Sequence, residues 1–358
     1  MVIIHVVKVK NRPFCGVDVI VPKHIEEQQK KETVALLNLA NVRCTGVKHQ
    51  FEYNGDFNID QIPEQFNHPD IVIFHQVYAP EYIKISKILR QKKIPYIIVP
   101  HGSLTTEAQK TKRIKKILGN ILFSPFIKHA AAIQCLSEKE KVNTNIKVPK
   151  FIGTNGCIIP SRHKHSFTTN KTRFVYIGRL DCHIKGLDIM LDAFKLVKDS
   201  PYKDQFELRI YGPAYKGSYA FIHEMIAERA LNDCVSVHSP VIADEKEQVL
   251  LESDVFIQTS RSEGMPMGIL EALSYGLPCL ITTGTTLGDL VKQHDSGWVA
   301  DTNAQSVFEN IVCVINENNT LSEKSKGAIK LISNHFTWDK VTYDNINAYR
   351  KYANLGEV

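Results

Sequence analysis

Two glutamates, Glu263 and Glu271, stand in the stretch SRSEGMPMGILEALSYGLP, residues 260–278, with seven residues between them. The apolar run DVFIQTS (254–260) reads as a buried strand, so Glu263 falls on the loop past its carboxyl end. Pro266 suits the first turn of a helix, where its missing N–H costs nothing. The N–H groups of Gly264, Met265 and the first helical residues, Met267 among them, then offer a place for an anion or a hydroxyl. A carboxylate at position 263 accepts hydrogen bonds from the hydroxyls of a sugar. The bland alternative is a surface carboxylate near a helix start. Glu271, five residues beyond Pro266, projects from the same helix toward a neighbouring subsite. Its neighbours Ile269, Leu270, Ala272 and Leu273 argue against a wholly solvated helix. Two carboxylates so placed would hold two separate hydroxyl-bearing parts of one ligand.

A second constellation lies upstream, in VYIGRLDCHIKGLDIMLDAF, residues 175–194. A strand ends in Gly178, Arg179 follows at once, and Lys185 with Gly186 opens the next helix. Glycine permits a tight turn at the strand end. Arg179 and Lys185, six residues apart across one loop, can converge on a diphosphate, the arginine in bidentate fashion and the lysine as a point charge. Two solvated surface charges are the alternative, and the strand–glycine–helix context weighs against it.

Elements must bring these residues together. VIIHVV (2–7), DIVIFH (70–75), PYIIVPHG (95–102), AAAIQCL (130–136) and VPKFIGTNG (148–156) read as strands of a first domain. Helices are expected from about His24 to Ala40 and near Glu81–Gln91. Residues 157–171 are polar and basic and read as a linker. RFVYIG (173–178), FELRIYG (206–212), VSVHSP (235–240), DVFIQTS and LPCLIT (277–282) are strands of a second domain. Helices are expected there over 185–198, 220–230 and 267–276. Unbroken apolar strands alternating with amphipathic helices predict parallel sheets and right-handed βαβ units. The expectation is an α/β chain of two doubly wound Rossmann-like domains facing across a cleft, with ligands at the carboxyl ends of the strands.

Composition sets the remaining bounds. At 358 residues the chain is long for one core, and its 43% hydrophobic and 23% charged content is ordinary for a soluble protein. A net charge of +6 is mild and favours anionic partners only weakly. The eight cysteines form no C-x-x-C pair and read as free, mostly buried thiols. His163 and His165 flank a lysine in the linker without a second ligand cluster, so solvated linker histidines are expected rather than a metal site. Neither a secretory signal nor a run long enough to span a membrane is read in the sequence, and a cytoplasmic protein is expected, with the inner face of the membrane as a peripheral location.

The segments GRLDCHIKGLD and SEGMPMGILEALSYGLP resemble the signature of the retaining nucleotide-sugar glycosyltransferases of family 4, which have the GT-B fold. The likeness is close over about residues 172–300 and looser before them. It implies a first, acceptor-binding domain over 1–157, a nucleotide-sugar-binding domain over 172–335, and a final segment 336–358 whose helix crosses back to the first domain. It further implies that Arg179 and Lys185 grip the donor diphosphate and that Glu263 binds the donor sugar near the reacting carbon. Glu271 would hold the ribose, and the backbone of Gly178, Gly264, Met265, Pro266 and Met267 would line the donor pocket. His101, at the end of PHGSLTTEAQ (100–109), would face the sugar; a satisfied core histidine is the alternative. His75, ending DIVIFH, is a weaker candidate of the same kind. Gly16 resembles the family's glycine loop after the first strand, although the family carries two adjacent glycines and this chain has Cys15-Gly16.

The activity this implies is transfer of a sugar, with retention, from a nucleotide-sugar co-substrate, by family frequency a UDP-sugar, to a glycan acceptor carried on a lipid. No D-x-D triplet occurs, so neither metal nor other cofactor is expected. Nucleic acid is not an expected partner. The basic stretch 110–126, with Lys110, Lys112, Arg113, Lys115 and Lys116 among Ile114, Ile117, Leu118, Ile121 and Leu122, has two readings. It lies on an anionic membrane, or it docks by its apolar face on its own domain. In the final helix Trp338, Val341 and Ile346 are expected to be buried. The competing functions are a non-catalytic GT-B partner of a transferase, which would not need Arg179, Lys185, Glu263 and Glu271, and a sugar-nucleotide epimerase or phosphorylase. A dinucleotide oxidoreductase is disfavoured because no G-x-G-x-x-G follows either domain's first strand.

Overall fold

The computed structural model describes residues 1–110, 113–168, 170–215 and 217–356, the side chains of 113–115 excepted. It divides into two compact units, Met1–Gly156 with Trp338–Val358, and Cys157–Thr337.

The first unit begins with β1 (Val2–Val7), α1 (Gly16–Gln28), β2 (Thr33–Asn38), β3 (Gln50–Glu52), β4 (Ile71–His75), α2 (Pro80–Gln91) and β5 (Tyr96–Val99). It continues through α3 (Thr106–Lys110), α4 (Arg113–Lys128), β6 (Ala132–Cys135), α5 (Glu138–Asn143) and β7 (Lys150–Ile152). Among the described residues the strands form one parallel sheet in the order β3-β2-β1-β4-β5-β6-β7. Strands β1, β4 and β5 are buried along nearly their whole length, which is why their sequences run apolar without alternation.

The second unit carries β8 (Thr172–Ile177), α6 (Cys182–Lys185), α7 (Leu187–Lys198), β9 (Phe206–Tyr211), α8 (Ser218–Glu228), β10 (Val235–His238) and α9 (Ala243–Glu252). Then come β11 (Val255–Gln258), α10 (Met267–Ser274), β12 (Cys279–Thr282), α11 (Gly288–Gln293), β13 (Gly297–Ala300), α12 (Ala304–Asn316) and α13 (Leu321–His335). Its parallel sheet runs β10-β9-β8-β11-β12-β13. The connection reverses direction between β8 and β11, and the carboxyl ends of two such strands are where doubly wound folds bind ligands.

The last helix, α14 (Trp338–Tyr352), packs within the first unit. Trp338, Val341 and Ile346 are buried. Its Tyr349 hydroxyl donates to Gln134 Oε1 at 2.8 Å, and Arg350 reaches Glu32 at 2.7 Å.

Two expectations are corrected. The helix expected over 24–40 is instead the end of α1 and then strand β2, because TVALLN is buried on both sides between β1 and β3. Residues 157–171 are not a loose linker but part of the second unit. Lys164 is buried against Asp254 at 3.3 Å, and Thr168 donates its hydroxyl to the same carboxylate. The eight cysteines are all free, and Cys44, Cys135, Cys157, Cys234 and Cys279 are buried.

Candidate active site

In the second unit the loop after β8 and the loop after β11 are stitched together. Gly186 has φ +65°, and a Cβ there would lie 2.0 Å from the Thr259 carbonyl oxygen. Only glycine fits both the left-handed backbone and the approach. Thr259 Oγ1 donates to the Gly186 carbonyl at 2.7 Å, and the Arg261 N–H donates to the Ile184 carbonyl at 2.9 Å. Arg261 also holds Asp188 through two 2.7 Å contacts. Burial alone would raise the Asp188 carboxyl, but these hydrogen bonds outweigh it and hold the group below its ordinary value.

This stitching sets Lys185 against Glu263. Lys185 Nζ donates to Glu263 Oε1 at 2.6 Å. Ser260 Oγ and Gln258 Nε2 donate to the same oxygen at 2.7 and 3.0 Å. All three donors thus meet on Oε1. The lysine, with three donor protons, uses one here. Both side chains keep some exposure, 18% for Lys185 and 11% for Glu263, so a ligand could still reach them.

Arg179 follows the strand end at Gly178, where a Cβ would meet the Tyr176 hydroxyl at 2.7 Å. Its guanidinium lies 4.7 Å from the centre of the Tyr215 ring and 3.3 Å from Asp181. The plane is thus fixed by stacking while most of its donors stay available. The Tyr176 hydroxyl donates to the Arg179 carbonyl at 2.9 Å and pins the turn.

Pro266 is the residue just before α10 rather than inside its first turn, and no side chain caps that end. Gly264 and Met265 are in the loop before it; Met267 is the first helical residue. Glu271 sits on α10, where both its oxygens accept from Lys246 of α9 at 3.0 Å. A carboxylate accepts about four hydrogen bonds, so each oxygen retains capacity.

The first unit holds His101 and Gly16. His101 follows β5 and has φ +49°, with Gly102 at +79° behind it. A left-handed histidine costs roughly 1–2 kcal/mol and calls for a reason. The turn is held by Glu140, whose two oxygens accept from the N–H groups of Gly102 at 2.6 Å and Leu136 at 2.7 Å. Behind His101 runs a line of rings. His101 Nε2 meets His75 Nδ1 at 3.1 Å, His75 Nε2 meets His5 Nδ1 at 2.8 Å, and His5 Nε2 meets Gln28 Oε1 at 2.8 Å. The Gln28 carbonyl can only accept, so His5 donates there, and each following ring donates inward through Nε2. His101 Nδ1 is left as an acceptor at the end of the line. Burial drives all three rings toward neutrality, taking His5 and His101 down to about 3. Gly16 opens α1 with a Cβ position that would meet nothing within 4 Å, so the fold itself does not require glycine there.

Arg179, Lys185 and Glu263 thus gather at the ends of β8 and β11, with Gly178 and Gly264 in the same two loops. Glu271 lies further along α10, paired to Lys246. Sequence reasoning passed over Ser260, Gln258 and Lys246. The first two stand within five residues of Glu263, the one signal that could have pointed to them; Lys246 carries no motif. A cavity of about 540 Å³ in the first unit, lined by Leu104, Gln109, Asn120, Lys128, Ile146 and Lys147 among others, includes none of the expected site residues.

Comparison with known proteins bears on this geometry. The family model described as glycosyl transferases group 1 matches residues 159–331. The amylovoran biosynthesis glycosyltransferase AmsK of Erwinia amylovora is 30% identical over 36% of this chain and 32% of its own length. The UDP-Gal:alpha-D-GlcNAc-diphosphoundecaprenol alpha-1,3-galactosyltransferase of Escherichia coli is 36% identical over 25% of this chain and 23% of its own. The chain therefore spans only a third or less of these two curated relatives. The Anabaena protein HepE, solved in complex with UDP, superposes with a TM-score of 0.76 at 14% identity, covering 98% of this chain and 100% of that one. Over its second unit the chain resembles the group 1 glycosyl transferases, and its fold is GT-B, built of two Rossmann-like units.

Proposed function

We propose that this chain, similar in sequence and fold to the glycosyl transferases of group 1, moves a sugar from a UDP-sugar to a glycan acceptor in polysaccharide or glycoconjugate synthesis. The observation that carries the proposal is the Lys185–Glu263 pair at 2.6 Å, supported by Ser260 and Gln258 at the carboxyl end of β11. It sets a fixed cation and a hydrogen-bond-accepting carboxylate side by side, as a sugar diphosphate requires. In this reading Arg179 and Lys185 bind the diphosphate and stabilise the charge that grows on it as the bond to the sugar carbon breaks. Glu263 Oε2 accepts from a sugar hydroxyl, and Glu271 accepts from the ribose with the capacity Lys246 leaves. The backbone of Gly178, Gly264, Met265, Pro266 and Met267 lines the donor site. Within the first unit the reading assigns His101 and Gly16 a part in donor binding.

Transfer proceeds with retention. The acceptor oxygen bonds to the sugar carbon on the face the diphosphate leaves, and its proton passes to the departing phosphate. Fixed positive side chains do the work a metal would do elsewhere, so the reaction is expected to need no metal or other cofactor. UDP as the nucleotide is favoured by the UDP complex of HepE. A lipid-linked acceptor is favoured by the name of the Escherichia coli relative, which acts on a diphosphoundecaprenol substrate.

Thermal unfolding with UDP, GDP, ADP and CMP, each with EDTA and then with magnesium, tests the reading. At about 100 times its dissociation constant a nucleotide adds about 2.7 kcal/mol of stability. A shift with UDP that EDTA leaves unchanged is expected. A shift with another nucleotide alone would move the donor class, and no shift with any would remove the donor site.

A further inference from the structure

Helix α4 has apolar side chains on two opposite sides. At about 100° per residue, Phe123, Phe126 and Ile127 fall on one side and Ile117, Leu118, Ile121 and Leu122 on the other. The first three are buried in the core of the first unit. The other four are exposed, at 50%, 63%, 68% and 59%. The positions i, i+1, i+4 and i+5 make one continuous patch, which single exposed aliphatics do not. The helix is thus docked by its aromatic side and leaves a second apolar face uncovered. No described helix is long and apolar enough to cross a membrane.

Charge indicates what covers it. Between Glu107 and Glu138 the chain has no acidic residue and six cations: Lys110, Lys112, Arg113, Lys115, Lys116 and Lys128. Lys112 and the side chains of Arg113 and Lys115 lie outside the described structure. Lys110 and Lys128 are exposed, while Lys116 lies over the Tyr78 ring at 4.3 Å. At the far end Arg90 of α2 approaches His129 at 3.4 Å, adding a further cation beside the helix terminus. A second copy of the chain would set this cationic stretch against its like. An exposed apolar face with the exposed Lys110 before it and Lys128 at its end matches the boundary of an anionic bilayer, with phosphates at the level of the cations and acyl chains below.

We propose that α4 lies in the interface of an anionic lipid bilayer, inserting Ile117, Leu118, Ile121 and Leu122 and placing Lys110 and Lys128 against lipid phosphates. The inference goes beyond sugar transfer and stands whether or not that reading holds.

Flotation with vesicles of phosphatidylcholine alone, or mixed with phosphatidylglycerol, tests it on the full chain. The wild type is expected to float with the anionic vesicles and to stay largely free of the neutral ones. Leu118→Asp/Leu122→Asp is expected to weaken anionic binding by about tenfold or more. Lys110→Glu/Lys128→Glu should weaken it at low salt, with the difference shrinking as salt rises. All four positions are exposed, so unfolding midpoints should hold; Ile121→Ser serves if the double aspartate shifts its own. A wild type that fails to float with anionic vesicles overturns the proposal. So does Leu118→Asp/Leu122→Asp binding as tightly as wild type, because charge alone would then explain the attraction. A dimer in sedimentation that Leu118→Asp/Leu122→Asp disperses, without vesicle binding by the wild type, would reassign the face to a second copy.

Discussion

At the residue scale, the donor chemistry rests on how few atoms hold Lys185 in place. Among the described residues its amine has one hydrogen-bond partner, Glu263 Oε1, and the backbone behind it is fixed by Gly186 against Thr259. Removing the amine therefore alters the charge offered to the diphosphate while leaving the loop intact. Lys185→Ala is expected to lower turnover about 100-fold or more, the range found when one well-placed transition-state donor is lost. Its unfolding midpoint should stay within a few degrees of wild type, because Glu263 keeps Ser260 and Gln258. Steady-state transfer with a UDP-sugar beside thermal unfolding makes the comparison, and full activity in Lys185→Ala would remove the diphosphate role. Arg179 and Glu263 could be singled out in the sequence because each lies on the loop beyond a strand end, and Lys185 because it stands with Gly186 across the same loop as Arg179. Their partners were harder to see for a physical reason. The link between His101 and His5 exists only because the sheet places β5 beside β4 and β4 beside β1. The grip of Lys246 on Glu271 likewise joins two helices with no shared motif.

At the element scale, buried strands were read well where β-branched residues dominate, as in VIIHVV and DIVIFH. TVALLN was misread because alanine and leucine favour helices, and only burial on both faces makes it a strand. The stretch 157–171 was misread for the opposite reason. It is polar, yet two of its polar side chains, Lys164 and Thr168, serve one buried carboxylate. Asp254 receives Lys164 at 3.3 Å, Arg173 at 3.1 Å and the Thr168 hydroxyl, tying this segment to β8 and to the start of β11. Burial alone would raise the Asp254 carboxyl, but its partners outweigh that and hold it below its ordinary value. A depressed carboxylate contributes stability that is present above about pH 4, its unfolded value, and is lost as pH falls through the folded one. Asp254→Ala would strand a buried lysine and is expected to cost about 3–5 kcal/mol. Urea unfolding followed through Trp298, which lies in the second unit, measures it. A loss below about 1 kcal/mol would mean that Lys164 reaches water unaided.

At the scale of the whole molecule, the two units are expected to differ in how they respond to acid, because of where histidines are buried. In the first unit His5, His24 and His75 are buried and neutral. Burial lowers His5 to about 3 and His24 to about 4, and takes His75 well below 6.5. Above about pH 6.5 both folded and unfolded chains carry them uncharged. Below it the unfolded chain binds protons that the folded unit refuses, so stability falls as pH falls, by up to about 1.4 kcal/mol per pH unit for each ring, until the folded values near 3–4 are reached. In the second unit burial also lowers His238 and His294, but both rings keep solvent contact and contribute less, while Asp254 holds until lower pH. Each unit has one of the chain's two tryptophans, Trp338 in the first and Trp298 in the second. Trp298→Phe therefore leaves a fluorophore that reports on the first unit, packed edge-on to His24 at 4.9 Å, and Trp338→Phe leaves one that reports on the second. Between pH 6.5 and pH 4 the unfolding midpoint seen by Trp338 is expected to fall steeply and that seen by Trp298 to fall much less. Replacing the inner ring of the line, as in His5→Gln, should flatten the Trp338 curve by removing one refused proton. Parallel curves for the two fluorophores would show that buried histidine does not govern the acid limit of the first unit.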